Sequence, residues 1–276
     1  MEKRDIEEIE IDLLLEAIVR RYGYDFRNYS RASISRRIRQ AMAKANCETI
    51  GALTAKILYD SEAFQHVVAN FSITVTEMFR DPEFYAIIRK QVIPYLATYP
   101  FIKVWHAGCA TGEEAYSLAI FLQEEGLLER TTIYATDFNE DALEKARAGI
   151  YPLERMKQYG SNYRQAGGCC SLSEYYHAQY DSVIMEPGLR KSIMFSRHNL
   201  TVDQVFGEMN LVLCRNVLIY FNRILQSRVL RLFDESLVNG GFLCLGSRES
   251  LQFSDRAGHF MKFNDKRKIY RKRTAP

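Results

Sequence analysis

The chain predicts an α/β protein in which a mainly parallel sheet carries helices on both faces, preceded by an all-helical domain. Three observations support this. Residues 5–71 carry apolar side chains at helical spacing and no strand-like run. From about residue 100, strand and helix patterns alternate, as parallel strands joined by right-handed crossovers require. The end, "HFMKFNDKRKIYRKR", reads instead as a hairpin turning at Asn264–Asp265, which adds an antiparallel strand.

In order, "IEEIEIDLLLEAIVRR" is a helix that "YGYDFRNYS" breaks, and Ser30 or Ser33 can cap the next, "ASISRRIRQAMAKA". In that second helix Ile34, Ile38, Ala41, Met42 and Ala45 form one stripe, and shorter helices follow near 48–58 and 61–70. "FIKVWHA", "TTIYATD", "KSIMFSRH", "MNLVLCRN" and "GGFLCLGS" are strands. "TGEEAYSLAIFLQEE", "NEDALEKARAG" and "RILQSRVLRLFDESLV" are the intervening helices. With its terminal hairpin this is the arrangement of the S-adenosylmethionine-dependent methyltransferase fold. The expected organisation is a helical domain at 1–71, a linker and cofactor-covering segment at 72–99, and an S-adenosylmethionine-binding domain at 100–276. A small subdomain is inserted at about 155–190, where "EYYHAQYDSVIM" has the composition of an added strand.

Composition narrows the function. Of 276 residues, 47% are apolar and 26% charged, ordinary values for a globular protein. No apolar run approaches the roughly 20 residues that cross a bilayer, and "MEKRDIEEIEID" lacks the apolar core of a signal peptide, so a cytoplasmic location is expected. The six cysteines show neither CxxC nor Cys/His ligand spacing, which argues against a metal site. The net charge of +3 hides an uneven distribution. Residues 20–44 carry eight Arg or Lys against the single acid Asp25. Arg36, Arg37, Arg39 and Lys44 are expected on an exposed basic helix face that could meet an acidic partner.

Ligands of parallel sheets sit beyond the carboxyl ends of the strands, where strand order reverses. The first such end reads AGCATGEE, in which Gly108 and Gly112 allow close backbone approach. A dinucleotide fingerprint would read GxGxxG. Here Glu113 and Glu114 would repel a pyrophosphate and suit a ligand with a cationic end. Asp137 ends the second strand, where an acid accepts hydrogen bonds from ribose hydroxyls or caps the next helix. Asn216 leaves the fourth strand beside the same cleft, with Tyr220 four residues on. Thr74, Thr76 and Arg80 are polar positions in the apolar run joining the two domains.

Five stretches in one order, "ITVTEMFRD", "VWHAGCATGEEAYSLA", "IYATDFNEDALEKARAGIY", "RHNL" and "LVLCRNVLIYF", resemble the CheR family of chemoreceptor glutamate O-methyltransferases. The resemblance spans most of the chain. It implies S-adenosylmethionine as cofactor, S-adenosylhomocysteine as product, and no metal. It further implies that Thr74, Thr76, Arg80, Glu114, Asp137, Asn199, Leu200, Asn216 and Val217 line the cofactor pocket. Arg80 and Tyr220 would face the methyl group and the incoming carboxylate. The implied partner is the cytoplasmic helices of a methyl-accepting chemoreceptor or a related signalling protein, met by a monomer. A free glutamate is ionised at neutral pH, so this chemistry needs no general base. The chain departs from the family pattern where Thr74 replaces a frequent Asn, where Met78 replaces a Phe, and where "LGSRESLQFS" replaces a "GHSENF" type of sequence. A nucleic-acid methyltransferase is the competing reading, but the (D/N/S)PP(Y/F/W) motif of nitrogen acceptors is missing and the pI is only about 8.4. A non-catalytic S-adenosylmethionine sensor would not need Arg80 and Tyr220.

Overall fold

The computed structural model describes residues 3–71, 76–252 and 254–274. Four helices open the chain: α1 (Lys3–Tyr22), α2 (Arg31–Ala45), α3 (Ile50–Tyr59) and α4 (Ser61–Phe71). Ser30 occupies the N-cap position of α2 without a side-chain cap bond, whereas Thr49 caps α3 by accepting from Ala52 N. A helical stretch then runs from α5 (Pro82–Ile87) through a π-turn at Ile88–Val92 into α6 (Ile93–Leu96). The alternating region supplies β1 (Ile102–Ala107), α7 (Glu113–Glu124), β2 (Thr131–Asp137) and α8 (Glu140–Ala148). The insert contains β3 (Ile150–Pro152), α9 (Leu153–Gln165), β4 (Tyr176–Gln179), β5 (Ser182–Met185) and α10 (Pro187–Lys191). The chain closes with β6 (Ile193–Arg197), β7 (Met209–Cys214), α11 (Arg223–Ser236), β8 (Leu237–Leu245), β9 (Phe260–Asn264) and β10 (Ile269–Lys272).

Seven strands form one sheet in the order β6-β2-β1-β7-β8-β10-β9. β6, β2, β1, β7 and β8 are mutually parallel, while β10 runs antiparallel to both β8 and β9. The expected hairpin is therefore present, with β10 inserted between β8 and β9. Every residue of β7 is buried, which explains why all but Asn210 are apolar: a central parallel strand is covered on both faces, and Asn210 Oδ1 accepts from Lys103 N (2.8 Å). Alternate residues divide between two cores. Val104, Leu211, Leu213 and Phe242 join the core under α5, α6 and α7. Trp105, Val212 and Leu243 join the core shared by α11 and α1–α4. The insert holds two strands where one was expected, because Tyr180 and Asp181 turn the chain back within "EYYHAQYDSVIM" and β3 completes a three-stranded sheet.

The basic region also differs from expectation. Arg31 pairs with Glu8 and Asp12, Arg39 with Glu7, and Arg27 with Glu16 and Asp25, so acids of α1 and its neighbours neutralise much of it. Arg36, Arg39 and Lys44 are exposed, but Arg37 is only 5% exposed. Position 37 lies three residues after Ile34 and four before Ala41, so it falls on the buried stripe rather than the solvent face. Its guanidinium donates to the Asn70 carbonyl (2.7 Å) and to Ser33 Oγ (3.4 Å). Among the described residues no helix is long and apolar enough to cross a membrane.

Candidate active site

Strand order reverses between β1 and β7, since β2 and β6 lie on one side and β8 on the other. A cavity of about 1090 Å³, including its open mouth, occupies that point, at the carboxyl ends of the strands. Of the expected site residues, Thr76, Arg80, Glu114, Asp137, Asn199, Leu200, Asn216, Val217 and Tyr220 all line it. Thr74 lies outside the described residues. Tyr29 and Phe71 of the helical domain, together with Phe138, His198, Arg215 and Phe221, complete the wall and were not singled out from sequence.

The turn after β1 is built by backbone conformation. Gly108 (φ +76°) is irreplaceable on two counts, because a Cβ there would lie 2.5 Å from Val217 Cγ2. Ala110 also has positive φ (50°), and its N–H donates to Asp137 Oδ2 at 2.9 Å. The other oxygen of Asp137 accepts from Asn139 N at 3.0 Å, while Asn139 itself caps α8. Asp137 is thus anchored by one N–H on each oxygen and keeps a lone pair on each for a ligand. Burial raises its carboxyl above the usual range, against the pull of these N–H groups.

The two glutamates of the turn part company. Glu113 does not line the cavity and serves the amino-terminal turn of α7. Its carboxylate accepts from Thr111 Oγ1 (2.6 Å) and lies near Arg155 of α9. Burial pushes it up to about 7. Glu114 does line the cavity, but its charge is answered from within the protein. It pairs with Arg215, with His106 Nε2 at 3.5 Å on its other oxygen. Burial is the largest influence on Glu114 and alone would raise it, yet Arg215, His106 and Arg80 together outweigh it and hold the carboxyl at about 2. Glu114 thus lines the cavity as an ionised carboxylate held in place by Arg215 and His106. Arg215 also reaches Asp81 (2.5 Å) and the Arg80 carbonyl (3.3 Å) and sits 4.1 Å from the Phe84 ring centroid. Its sequence signal was an arginine directly following the apolar run Leu211–Cys214.

Arg80 stands between Phe79 and Asp81, both at positive φ (53° and 56°). Among the described residues its guanidinium makes no ion pair. Tyr220 is held from the helical domain, where Ser30 N donates to its carbonyl (2.7 Å) and Arg37 Cζ lies 5.5 Å from its ring. Asn28 and Asn222 pair beside it through backbone and side chain (2.9 and 3.1 Å). Asn216 Oδ1 and His198 Nδ1 are buried acceptors without partners among the described residues. Such orphaned groups are those a bound ligand would satisfy.

A ligand cavity at the switch point of a sheet in this order, with an acid closing its second strand, is the arrangement of the S-adenosylmethionine-dependent methyltransferase fold. Comparison with known proteins narrows the class. Residues 74–268 match the SAM-binding domain of CheR methyltransferases and residues 9–72 their all-alpha domain. The chain belongs to the CheR methyltransferase family. It is 52% identical to a Pseudomonas putida protein named as methyltransferase Cher3, over 96% of this chain and 97% of that one. It is 30% identical to the chemotaxis protein methyltransferase of Listeria innocua, over 89% and 92%. With chemotaxis protein methyltransferase 1 of Pseudomonas aeruginosa it shares 28% identity over 79% and 81%.

Linkage gives Glu113 and Glu114 opposite signatures. Glu114 stabilises the fold above 4.5, and that stabilisation is lost as pH falls toward its folded value of about 2. For Glu113 the favourable state exists below 4.5 and is lost as pH rises through about 7. Glu113→Gln is therefore expected to exceed the wild type at pH 8 by on the order of 3 kcal/mol and to match it at pH 4, whereas Glu114→Gln loses a similar amount at pH 8. Urea midpoints at both pH values check this, and no gain for Glu113→Gln at pH 8 would contradict the burial cost.

Proposed function

We propose that the protein transfers a methyl group to glutamate side-chain carboxylates of a chemoreceptor or related signalling protein. One observation carries the carboxylate acceptor. Of the charged side chains around the cavity, Arg215 is paired with both Glu114 and Asp81 and Asp137 is held by backbone N–H groups, whereas Arg80 makes no ion pair among the described residues and stands near enough to Glu114 to help keep that carboxylate ionised. An anionic acceptor is the complement of that charge.

The cavity fits S-adenosylmethionine, which when bound supplies an electrophilic methyl group on a sulfonium sulfur. Asp137 would hold ribose hydroxyls through its remaining lone pairs, and the orphaned Asn216 Oδ1 would accept from the cofactor's ammonium or a hydroxyl. Thr76, Asn199, Leu200 and Val217 would complete the seat. Arg80 orients the acceptor carboxylate through one oxygen, since a bidentate clamp on both would stabilise the ground state and lower nucleophilicity. Tyr220 shapes the acceptor side and contributes a hydroxyl. The acceptor is already ionised, so orientation is the main contribution, worth up to roughly 7–11 kcal/mol. Incubation with radiolabelled S-adenosylmethionine and receptor-containing membranes tests the reading. Base-labile label on a receptor band supports it, and label on nucleic acid overturns it.

Three outcomes follow from these roles. Asp137→Ala is expected to weaken S-adenosylmethionine binding by roughly 1–3 kcal/mol in calorimetry, and unchanged affinity would remove Asp137 from the ribose site. Arg80→Ala is expected to lower turnover far more than cofactor affinity, with little rescue by Lys, because the planar fork sets direction. Near-normal turnover at saturating substrate would contradict that role. For receptor encounter, the exposed trio Arg36, Arg39 and Lys44 replaces the expected quartet. Each exposed pair is worth only about 0–1 kcal/mol, so their joint change to Ser is expected to slow methylation at low receptor concentration and flatten its salt dependence. Normal methylation across salt concentrations would move receptor recognition elsewhere.

A further inference from the structure

We propose that Glu249 is a positioning residue that holds the cavity wall formed by residues 216–220 in its working shape. This deepens the reading of the cavity as the S-adenosylmethionine site. Glu249 follows β8 in the "LGSRESLQFS" stretch, where Gly246 and Glu249 retain the spacing of the Gly and Glu of the "GHSENF" type, and it is 4% exposed. Buried carboxylates are ordinarily paired with a cation. Among the described residues Glu249 has none. Its two oxygens are instead filled by four backbone donors. Oε1 accepts from Val217 N (2.8 Å) and Ile219 N (3.3 Å), and Oε2 accepts from Gly246 N (2.5 Å) and Asn216 N (3.1 Å).

The position of those donors gives the arrangement its meaning. Asn216 and Val217 line the cavity, and Ile219 directly precedes Tyr220. Asn216 has φ +61°, a conformation that a non-glycine residue keeps only where its surroundings impose it. Glu249 supplies that imposition by fixing the N–H groups on both sides of the Asn216 carbonyl. The fit is close. A Cβ on Gly246 would lie 2.7 Å from Glu249 Oε2 and 2.8 Å from Asn216 N, so only glycine admits the carboxylate here. Val217 in turn fills the space that a Cβ on Gly108 would need, which passes the same constraint to the turn after β1. Without the carboxylate, four main-chain donors lose their acceptor in a buried place, and two of them, Asn216 and Val217, belong to residues that line the cavity.

The test uses the full chain, with S-adenosylhomocysteine as the calorimetric probe and hydrogen exchange read on peptides covering 211–221 and 240–250. Glu249→Gln keeps the shape but turns an NH2 group toward two N–H donors. It is expected to weaken S-adenosylhomocysteine binding by about 10-fold to 100-fold and to speed exchange at residues 216–219 by about 10-fold or more. Glu249→Asp keeps the charge on a shorter stem and is expected to fall between Gln and wild type. The control is Asp234→Asn. Asp234 is equally buried, pairs with His259 at 2.7 Å, and lies near the opposite end of β8. Its loss is expected to lower the thermal midpoint while leaving affinity and exchange at 216–219 within about twofold of wild type. A folded Glu249→Gln chain with both readouts unchanged overturns the proposal. If that variant does not fold, Glu249→Asp decides, because wild-type affinity with a shortened carboxylate is equally fatal. If the wild-type chain itself fails to bind S-adenosylhomocysteine, the reading of the cavity fails, while exchange at 216–219 still judges Glu249.

Discussion

The buried guanidinium of Arg215 is the constraint on which the site depends. It joins three chain segments that are far apart in sequence: the end of β7, the first turn of α7 through Glu114, and the turn at residues 79–81 through Asp81 and the Arg80 carbonyl. A charge in that place is tolerable only when it is fully answered, and removal of one partner from a buried pair typically costs about 3–5 kcal/mol. The arrangement is therefore all-or-none. It also shapes what the cavity presents to a ligand, because it fixes Glu114 in the wall as an ionised carboxylate with Arg80 close by and free of any ion pair among the described residues. Positive φ at Phe79 and Asp81 accompanies this, and the bond from Arg215 to the intervening carbonyl helps to hold that conformation.

The helical domain is part of the same site. Tyr29 and Phe71 form wall, and the Tyr29–Phe221 bridge stitches the loop before α2 to the loop before α11. Arg37 gives the connection a second route. It touches the last turn of α4 through the Asn70 carbonyl and lies over the ring of Tyr220. A displacement of α2 would thus reach the Tyr220 side of the cavity through the Arg37 side chain.

Much of this was legible in the sequence. The strands announced themselves because buried parallel strands must be apolar, and Asp137 and Asn216 stood out as polar groups where those runs end. Nine of the expected residues do line one cavity. What could not be read was how charges pair across long loops. Arg215 and Glu114 are separated by 101 residues, so nothing in the sequence tied that glutamate to a buried cation. Glu249 was hidden for a related reason, since its partners are main-chain N–H groups that leave no trace in residue identity. Arg37 failed differently. A helical stripe can accept a long cationic side chain when its head finds a carbonyl and an aromatic ring, and hydropathy alone assigns such a residue to solvent.

The pairing of α1 acids with Arg27, Arg31 and Arg39 changes how the helical domain would look to an approaching molecule. At a distance, each neutralised pair is a small dipole, and its field dies away faster than that of a lone charge. The far field of this region is set by the few cations left over, Arg36 foremost, while the detailed pattern of alternating sign becomes visible only at near contact. Such a surface draws partners weakly from afar and discriminates among them by the fit of donors and acceptors once they have arrived.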